Sequence, residues 1–211
     1  PRGYRVGKWV CTGGTLQDNI LTLANREFAK CRVELKDIPA SLKLAKAVDG
    51  NARLVAGTAN EYDVAYTLTV SHEGGIAGVY DLVDAPAFDS DVEIVSATVL
   101  RNDQALNVTP SAVTGAGAAQ ARRQWPLATQ QSLAIGATDV YRMTFRVRVP
   151  FEGSTANDRC QAAGDGSGHG LFNAATLTRQ QGGQASGEPL SAQACIDTPE
   201  PVLAATLSID K

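Results

Sequence analysis

The sequence predicts an all-β chain folded as a β-sandwich. Two observations support this: apolar and polar residues alternate strictly in two long segments, and shorter apolar runs are separated by turn-forming residues. Seven or so short strands at this spacing are typical of two packed antiparallel sheets. We find no segment with the sustained period of a helix.

The two clearest strands are expected at 62–70 and 141–149. Their apolar faces consist of Tyr62, Val64, Tyr66, Leu68 and Val70 in the first, and of Tyr141, Met143, Phe145, Val147 and Val149 in the second. Because successive side chains of a strand point to opposite faces, each segment has one apolar and one polar side. This indicates sheets with one face in water.

Weaker signals complete the predicted sheets. We expect further strands at 41–48, 78–84, 92–100, 171–178 and 186–196. Gly- and Asn-containing turns separate them, at 49–51, 73–75, 102–103 and 182–183. The Ala/Gly-rich segment 115–123 is interpreted as a loop.

Composition excludes several functions. Hydrophobic residues make up 44% of the chain, enough for a core, while the net charge of −3 provides no basic surface for nucleic acid. No apolar run approaches the ~20 residues of a membrane helix, so direct membrane insertion is not expected. The two histidines, His72 and His169, have no nucleophile motif around them and are expected in exposed turns. We therefore expect neither an enzyme acting on an external substrate nor a cofactor.

The four cysteines indicate an oxidising compartment. Cys11, Cys31, Cys160 and Cys195 form no CxxC pair, which argues against a zinc site. An even number of cysteines in such a β-rich chain favours two disulfides. The alternative is four buried thiols in a cytosolic protein.

An internal repeat suggests the domain organisation. The segment 41–46 resembles 206–211, and each copy follows a cysteine and a Pro-containing linker. The cysteine offset, 195 − 31 = 164, agrees with the lysine offset, 211 − 46 = 165. We expect 1–38 to be the C-terminal part of a preceding β domain, 39–200 a complete domain, and 201–211 a linker with the first strand of a following repeat. The chain would then begin within a longer protein.

This division also predicts the disulfide pairing. If each bridge stays within its own domain, Cys11 pairs with Cys31 and Cys160 pairs with Cys195.

Three polar residues are predicted on apolar faces. Lys46 shares a face with Leu42, Leu44 and Val48; Asp84 shares one with Tyr80 and Leu82; Asn173 shares one with Leu171, Ala175 and Leu177. Each is costly to bury alone, but together they could satisfy one another.

The same three residue types can form an intramolecular isopeptide bond. A neutral Lys46 amine would attack the side-chain carbonyl carbon of Asn173, with a protonated Asp84 as the autocatalytic acid, and no cofactor is needed. Two alternatives stay open: Lys46 extends to water from a strand end, or it forms a plain buried salt bridge with Asp84.

Residues 39–197 resemble the conserved-repeat Ig-like domain of bacterial surface proteins, known as domain of unknown function 11. The matching strings are Leu44-Ala45-Lys46, Tyr62–Val70 followed by Gly74-Gly75, Tyr80-Asp81-Leu82-Val83-Asp84-Ala85-Pro86, and Leu171-Phe172-Asn173-Ala174-Ala175-Thr176-Leu177. Residues 4–36 resemble the tail of a related repeat. Two departures are Ser71-His72-Glu73 in place of an Asn-bearing turn, and Ala85-Pro86 directly after Asp84.

The resemblance implies tandem Ig-like β-sandwich repeats in the stalk of a secreted bacterial surface protein or adhesin, located extracellularly on the cell surface. Some members of the family contain an isopeptide bond, and the resemblance points to the same bond here. The implied partners are neighbouring repeats of the same chain.

Two other functions stay open. A ligand-binding adhesin module would hold a glycan, a protein or calcium in the loops 101–124 and 151–170. Asp81, Asp84, Asp89 and Asp91 could hold calcium, although solvated turn carboxylates are the preferred interpretation and no metal is expected. In a filament assembled by strand exchange, the segment 205–211 would pair with another copy.

Overall fold

The computed structural model describes residues 3–112, 123–161 and 168–202. Within these ranges the regular secondary structure is β-strand apart from one 3₁₀ turn, as the alternation predicts. They are β1 (Tyr4–Thr12), β2 (Thr15–Gln17), β3 (Ile20–Thr22), β4 (Lys30–Asp37), β5 (Ser41–Val48), β6 (Arg53–Leu54), β7 (Glu61–Gly74), β8 (Gly78–Pro86), β9 (Glu93–Arg101), β10 (Gln104–Ala105), β11 (Ser111–Ala112), β12 (Arg123–Leu133), β13 (Thr138–Arg148), β14 (Asn173–Gln181), β15 (Gln184–Ala185) and β16 (Leu190–Ala194). A 3₁₀ turn, Thr155–Asn157, lies between β13 and β14.

Two six-stranded antiparallel sheets form a sandwich. The first has the order β10-β9-β13-β7-β5, with β6 beside β7; the second has the order β11-β12-β8-β14-β15, with β16 beside β14. Apolar side chains from both sheets form one core between them. The fold class is therefore the predicted one, a β-sandwich.

Strict alternation explains why β7 and β13 lie at the centre of the first sheet. Every second residue of each strand is buried, and the two strands pair in register, with Phe145 opposite Val64. The Phe145 ring packs edge-on against Trp125 of the second sheet, with ring centroids 5.2 Å apart. Cross-sheet aromatic contacts of this kind add to the burial of apolar surface.

The sequence did not reveal β12, which borders β8. Its pairing with β8 shifts register between Pro126 and Ala128 and again between Ala128 and Gln131. These irregularities break the period of two, so that Trp125, Leu127 and Leu133 are buried without a continuous alternating pattern.

The turn after β7 requires a glycine. Gly75 has φ = +92°, and a Cβ atom there would lie 2.1 Å from the carbonyl oxygen of Pro39. Ile76 then donates its N–H to the carbonyl of Ile38 at 2.9 Å. The Gly74-Gly75 string thus closes the β7–β8 turn against the chain entering β5.

Residues 3–37 form separate small ladders. β1 pairs with β4 and β2 with β3, and within the described ranges none of these strands joins either six-stranded sheet. Cys11 lies directly opposite Cys31 in the β1–β4 ladder. The expected domain boundary at residue 38 stays a prediction, and the expected first strand of a following repeat lies outside the described residues.

Both predicted disulfides, Cys11–Cys31 and Cys160–Cys195, are present. The second joins the segment after β13 to the end of β16. Across the described ranges, no helix has the length and apolar character to cross a bilayer.

Candidate crosslink site

The three polar residues predicted on apolar faces lie together between the sheets. Lys46 is on β5 of the first sheet, Asp84 on β8 of the second, and Asn173 begins β14 beside β8. In the β8–β14 ladder Ala175 is opposite Asp84 and Asn173 is opposite Pro86. Asp84 and Asn173 are therefore diagonal neighbours on the inward face of the second sheet.

Asp84 bridges the other two side chains. Its Oδ1 contacts the Lys46 amine, and its Oδ2 accepts a hydrogen bond of 2.9 Å from Asn173 Nδ2. The side chains of Lys46 and Asp84 are 0% exposed, as is Asn173. Lys46 thus does not extend to water, which removes one of the two alternatives to a crosslink.

The environment disfavours charge on both members of the pair. Burial lowers the pKa of Lys46 and raises the pKa of Asp84, and in each case burial outweighs the opposing effect of the partner. The Tyr66 ring, with its centroid 5.4 Å from the Lys46 amine, is part of this apolar lining. The arrangement favours a neutral amine beside a protonated carboxyl group.

The Asn173 amide is only partly satisfied by hydrogen bonds. Its Oδ1 is buried and has no hydrogen-bond partner among the described residues. The two ends of an amide side chain are distinguished by their hydrogen bonds. A half-turn of the amide would direct Oδ1 at Asp84, where a protonated carboxyl would donate to it. The site can therefore present a neutral amine and an acid to the same amide.

The four aspartates considered as an alternative calcium site, Asp81, Asp84, Asp89 and Asp91, do not form one cluster. Asp84 belongs to the site just described. Asp81 accepts hydrogen bonds from the Gln130 N–H and from Gln180 Nε2, at 2.7 and 2.6 Å. Asp89 and Asp91 lie at one end of the sandwich, where they approach Asp158, a residue that the sequence patterns did not indicate.

The expectation of an exposed turn is wrong for His72. Strand β7 continues to Gly74, so His72 lies on its inward face and is 1% exposed. Its two ring nitrogens lie 3.1 Å from the Leu133 carbonyl oxygen and 2.9 Å from the Gly74 carbonyl oxygen. The alternation over 62–70 extends to His72, and this parity was the signal for its burial.

Segments important to the alternative functions lie partly outside the described residues. The loops expected to hold a ligand include 113–122 and 162–167, and strand exchange would use 205–211. These expectations stay predictions.

Comparison with known proteins gives structural matches only. No family model matches the chain, and no curated protein matches it. The resemblance to the conserved-repeat domain is therefore not supported by a family match.

Three solved structures illustrate the structural matches. The full-length major pilin SpaD from Corynebacterium diphtheriae is 12% identical, with 72% of this chain and 33% of that chain covered and a TM-score of 0.43. The major pilin subunit of Bacillus cereus is 10% identical, with coverages of 94% and 64% and a TM-score of 0.41. The C-terminal domain of the AgI/II polypeptide BspA from Streptococcus agalactiae is 9% identical, with coverages of 81% and 54% and a TM-score of 0.37.

In each case the chain spans less than two thirds of the matched structure. The class of the protein therefore rests on its own topology. It is a two-sheet antiparallel β-sandwich with a buried Lys–Asp–Asn cluster that links the sheets.

Proposed function

We propose that the chain is a structural repeat from the extracellular stalk of a bacterial surface protein, and that an isopeptide bond between Lys46 and Asn173 reinforces it. The observation that supports this is the meeting of Lys46, Asp84 and Asn173, fully buried between two sheets. In this proposal 39–200 is the complete repeat and 1–38 belongs to the preceding one, so that the direct partners are neighbouring repeats.

The proposed reaction needs no external reagent. The neutral Lys46 amine attacks the side-chain carbonyl carbon of Asn173 while the protonated Asp84 donates a hydrogen bond to Oδ1. The tetrahedral intermediate collapses as the C–Nδ2 bond breaks. Asp84 gives its proton to the departing nitrogen and receives one from Lys46 Nζ. Ammonia leaves, an amide remains, and the carboxyl group returns to its starting state.

Proximity within the fold drives this step. The three groups belong to strands held by two sheets, so the reaction is intramolecular and its entropic cost has already been met by folding. Folding must come first, because the three residues are far apart in the sequence. The reaction therefore occurs once per chain and Asp84 acts on no external substrate.

The bond would matter most under tension. It would join β5, the first strand of the sandwich, to β14 in the opposite sheet, so that a pull along the chain passes through a covalent amide. Together with Cys160–Cys195 it would fix both ends of the domain. A stalk repeat needs this resistance to extension, whereas a plain salt bridge would not provide it.

Single-molecule force spectroscopy on the chain, under reducing conditions, tests the mechanical role. The crosslinked residues enclose 173 − 46 = 127 positions. We expect this segment to add nothing to the contour length that is released on unfolding. The Asn173→Ala variant, which lacks the carbonyl that Lys46 attacks, should release that length. Equal extension of the two proteins would contradict the proposed role.

A further inference from the structure

Three carboxylates converge at one end of the sandwich. Asp89 and Asp91 lie in the loop between β8 and β9, and Asp158 follows the 3₁₀ turn Thr155–Asn157. One oxygen from each lies within 4.8 Å of the others. Among the described residues, no Lys or Arg forms an ion pair with any of the three.

Hydrogen bonds satisfy only some of the oxygen atoms of these carboxylates. Asp91 Oδ2 accepts from the Ser154 N–H at 3.1 Å, and Asp89 Oδ1 accepts from the Ser90 hydroxyl at 3.4 Å. Asp89 is only 2% exposed, yet its Oδ2 has no partner in the described part of the chain, and neither has the buried Oδ1 of Asp91. A buried carboxylate oxygen without a donor is costly, and a bound cation would offset that cost.

A fourth oxygen shows the same deficiency from a different segment. Thr198 is 9% exposed, and its hydroxyl oxygen is buried without a partner among the described residues. Thr198 lines the same cleft as Asp158 and donates its N–H to the Asp158 carbonyl at 2.7 Å. The unsatisfied oxygens therefore come from two separate stretches of chain, 89–91 and 198, and Asp158 contacts both.

The three carboxylates repel one another when they are charged. One oxygen of each lies within 4.8 Å of the others. Concentrating negative charge in this way is unfavourable unless a cation neutralises it.

We propose that Asp89, Asp91 and Asp158 bind a calcium ion. The available ligand atoms are all oxygens, which excludes the nitrogen and sulfur ligands that zinc prefers. Calcium accepts carboxylates on irregular loops, with backbone carbonyls and water completing the shell, whereas magnesium requires a near-ideal octahedron and retains more of its water.

The site would stiffen the exit from the domain. Asp158 is next to the Cys160–Cys195 bridge, and the Cys160 N–H donates to Asp197 Oδ1 at 2.8 Å. Two residues beyond Thr198, the Glu200 carbonyl accepts a hydrogen bond of 2.5 Å from the Tyr62 hydroxyl. Calcium would tie the β8–β9 loop to this segment and so reduce motion where the chain leaves the sandwich. This function is independent of the Lys46–Asn173 crosslink.

Calorimetric titration of the metal-free chain with calcium chloride tests the proposal directly. We expect one calcium ion per chain, and an increase in Tm of about 5–10 °C when free calcium is about a hundred times its dissociation constant. Asp91→Asn and Asp158→Asn should abolish the heat of binding and the shift in Tm. The control Asp103→Asn, at an exposed turn remote from the cluster in sequence, should behave as the wild type.

A second measurement separates loss of the ligand from loss of the fold. In excess chelator, Asp91→Asn and Asp158→Asn should melt at or above the wild-type temperature, because each removes one charge from a repulsive group. Absence of both heat and a Tm shift in about 10 mM calcium chloride, well above the affinity range of extracellular calcium modules, would overturn the proposal. So would unchanged binding by both variants, or equal binding of magnesium.

Discussion

Replacing Asp84 with alanine should lower the free energy of unfolding by about 5 kcal/mol or more, because it removes the stabilisation that the crosslink gives and leaves the Lys46 amine buried without a partner. The side chains of both residues are 0% exposed, so no rearrangement at the surface can restore solvation. The variant should also lack the crosslink, since no acid then polarises the Asn173 carbonyl. Urea denaturation measures the first effect and intact mass the second.

A matched control is available on the exposed face of the first sheet. Asp63 pairs with Arg146 at 2.9 Å, but the two side chains are 37% and 39% exposed. Asp63→Ala should therefore change stability by at most about 1 kcal/mol. If Asp84→Ala cost no more than Asp63→Ala, the buried contact between Lys46 and Asp84 would be wrong.

Asn173→Ala distinguishes a crosslink from a plain buried ion pair. It keeps Lys46 and Asp84 but removes the carbonyl that the amine attacks. In the loop-entropy model a covalent link across a loop of this length stabilises the fold by about 5 kcal/mol. A loss of stability near about 5 kcal/mol would support the crosslink, whereas a loss of roughly 1–3 kcal/mol would fit only the missing hydrogen bond.

Removal of the Cys160–Cys195 disulfide should destabilise the sandwich by about 3–5 kcal/mol. The bridge closes a loop of 35 positions and holds the segment after β13 against the end of β16. We expect the Cys160→Ser/Cys195→Ser variant to unfold at lower urea concentration. Trp125, which is 3% exposed, reports this transition by fluorescence in a Trp9→Phe background.

The other disulfide provides the comparison. Cys11–Cys31 joins β1 to β4, and neither strand belongs to the two main sheets. The Cys11→Ser/Cys31→Ser variant should leave the Trp125 transition in place while increasing hydrogen exchange in residues 3–37. An equal decrease in the Trp125 transition would show instead that the N-terminal ladders and the sandwich unfold as one unit.

Much of the sandwich could be predicted because alternation is local information. Tyr62–Val70 and Tyr141–Val149 each have a face that must be buried, and the parity of Lys46, Asp84 and Asn173 follows from the same rule. Parity assigns a side chain to a face but does not say which strands are neighbours. The contact of Asp84 with both Lys46 and Asn173 depends on β5 closing over β14 and β8, which is a property of the whole topology.

The features that were not predicted depend on irregular or distant structure. In strand β12 two register shifts, at Pro126/Ala128 and Ala128/Gln131, interrupt the alternation of apolar and polar residues. Asp158 lies 67 positions after Asp91 (158 − 91 = 67), in a segment with no strand pattern, so nothing local connects it to the β8–β9 loop. Such loop-to-loop contacts are set by the fold and not by periodicity.

Intact-mass spectrometry of the chain after full reduction tests the crosslink most directly. We expect a mass that is short of the sequence by one ammonia, with a single branched peptide that joins Lys46 to Asn173, and recovery of the full mass in Asp84→Ala. A reduced wild-type mass equal to that of the sequence would contradict the crosslink and leave Lys46, Asp84 and Asn173 as a buried polar cluster without covalent chemistry.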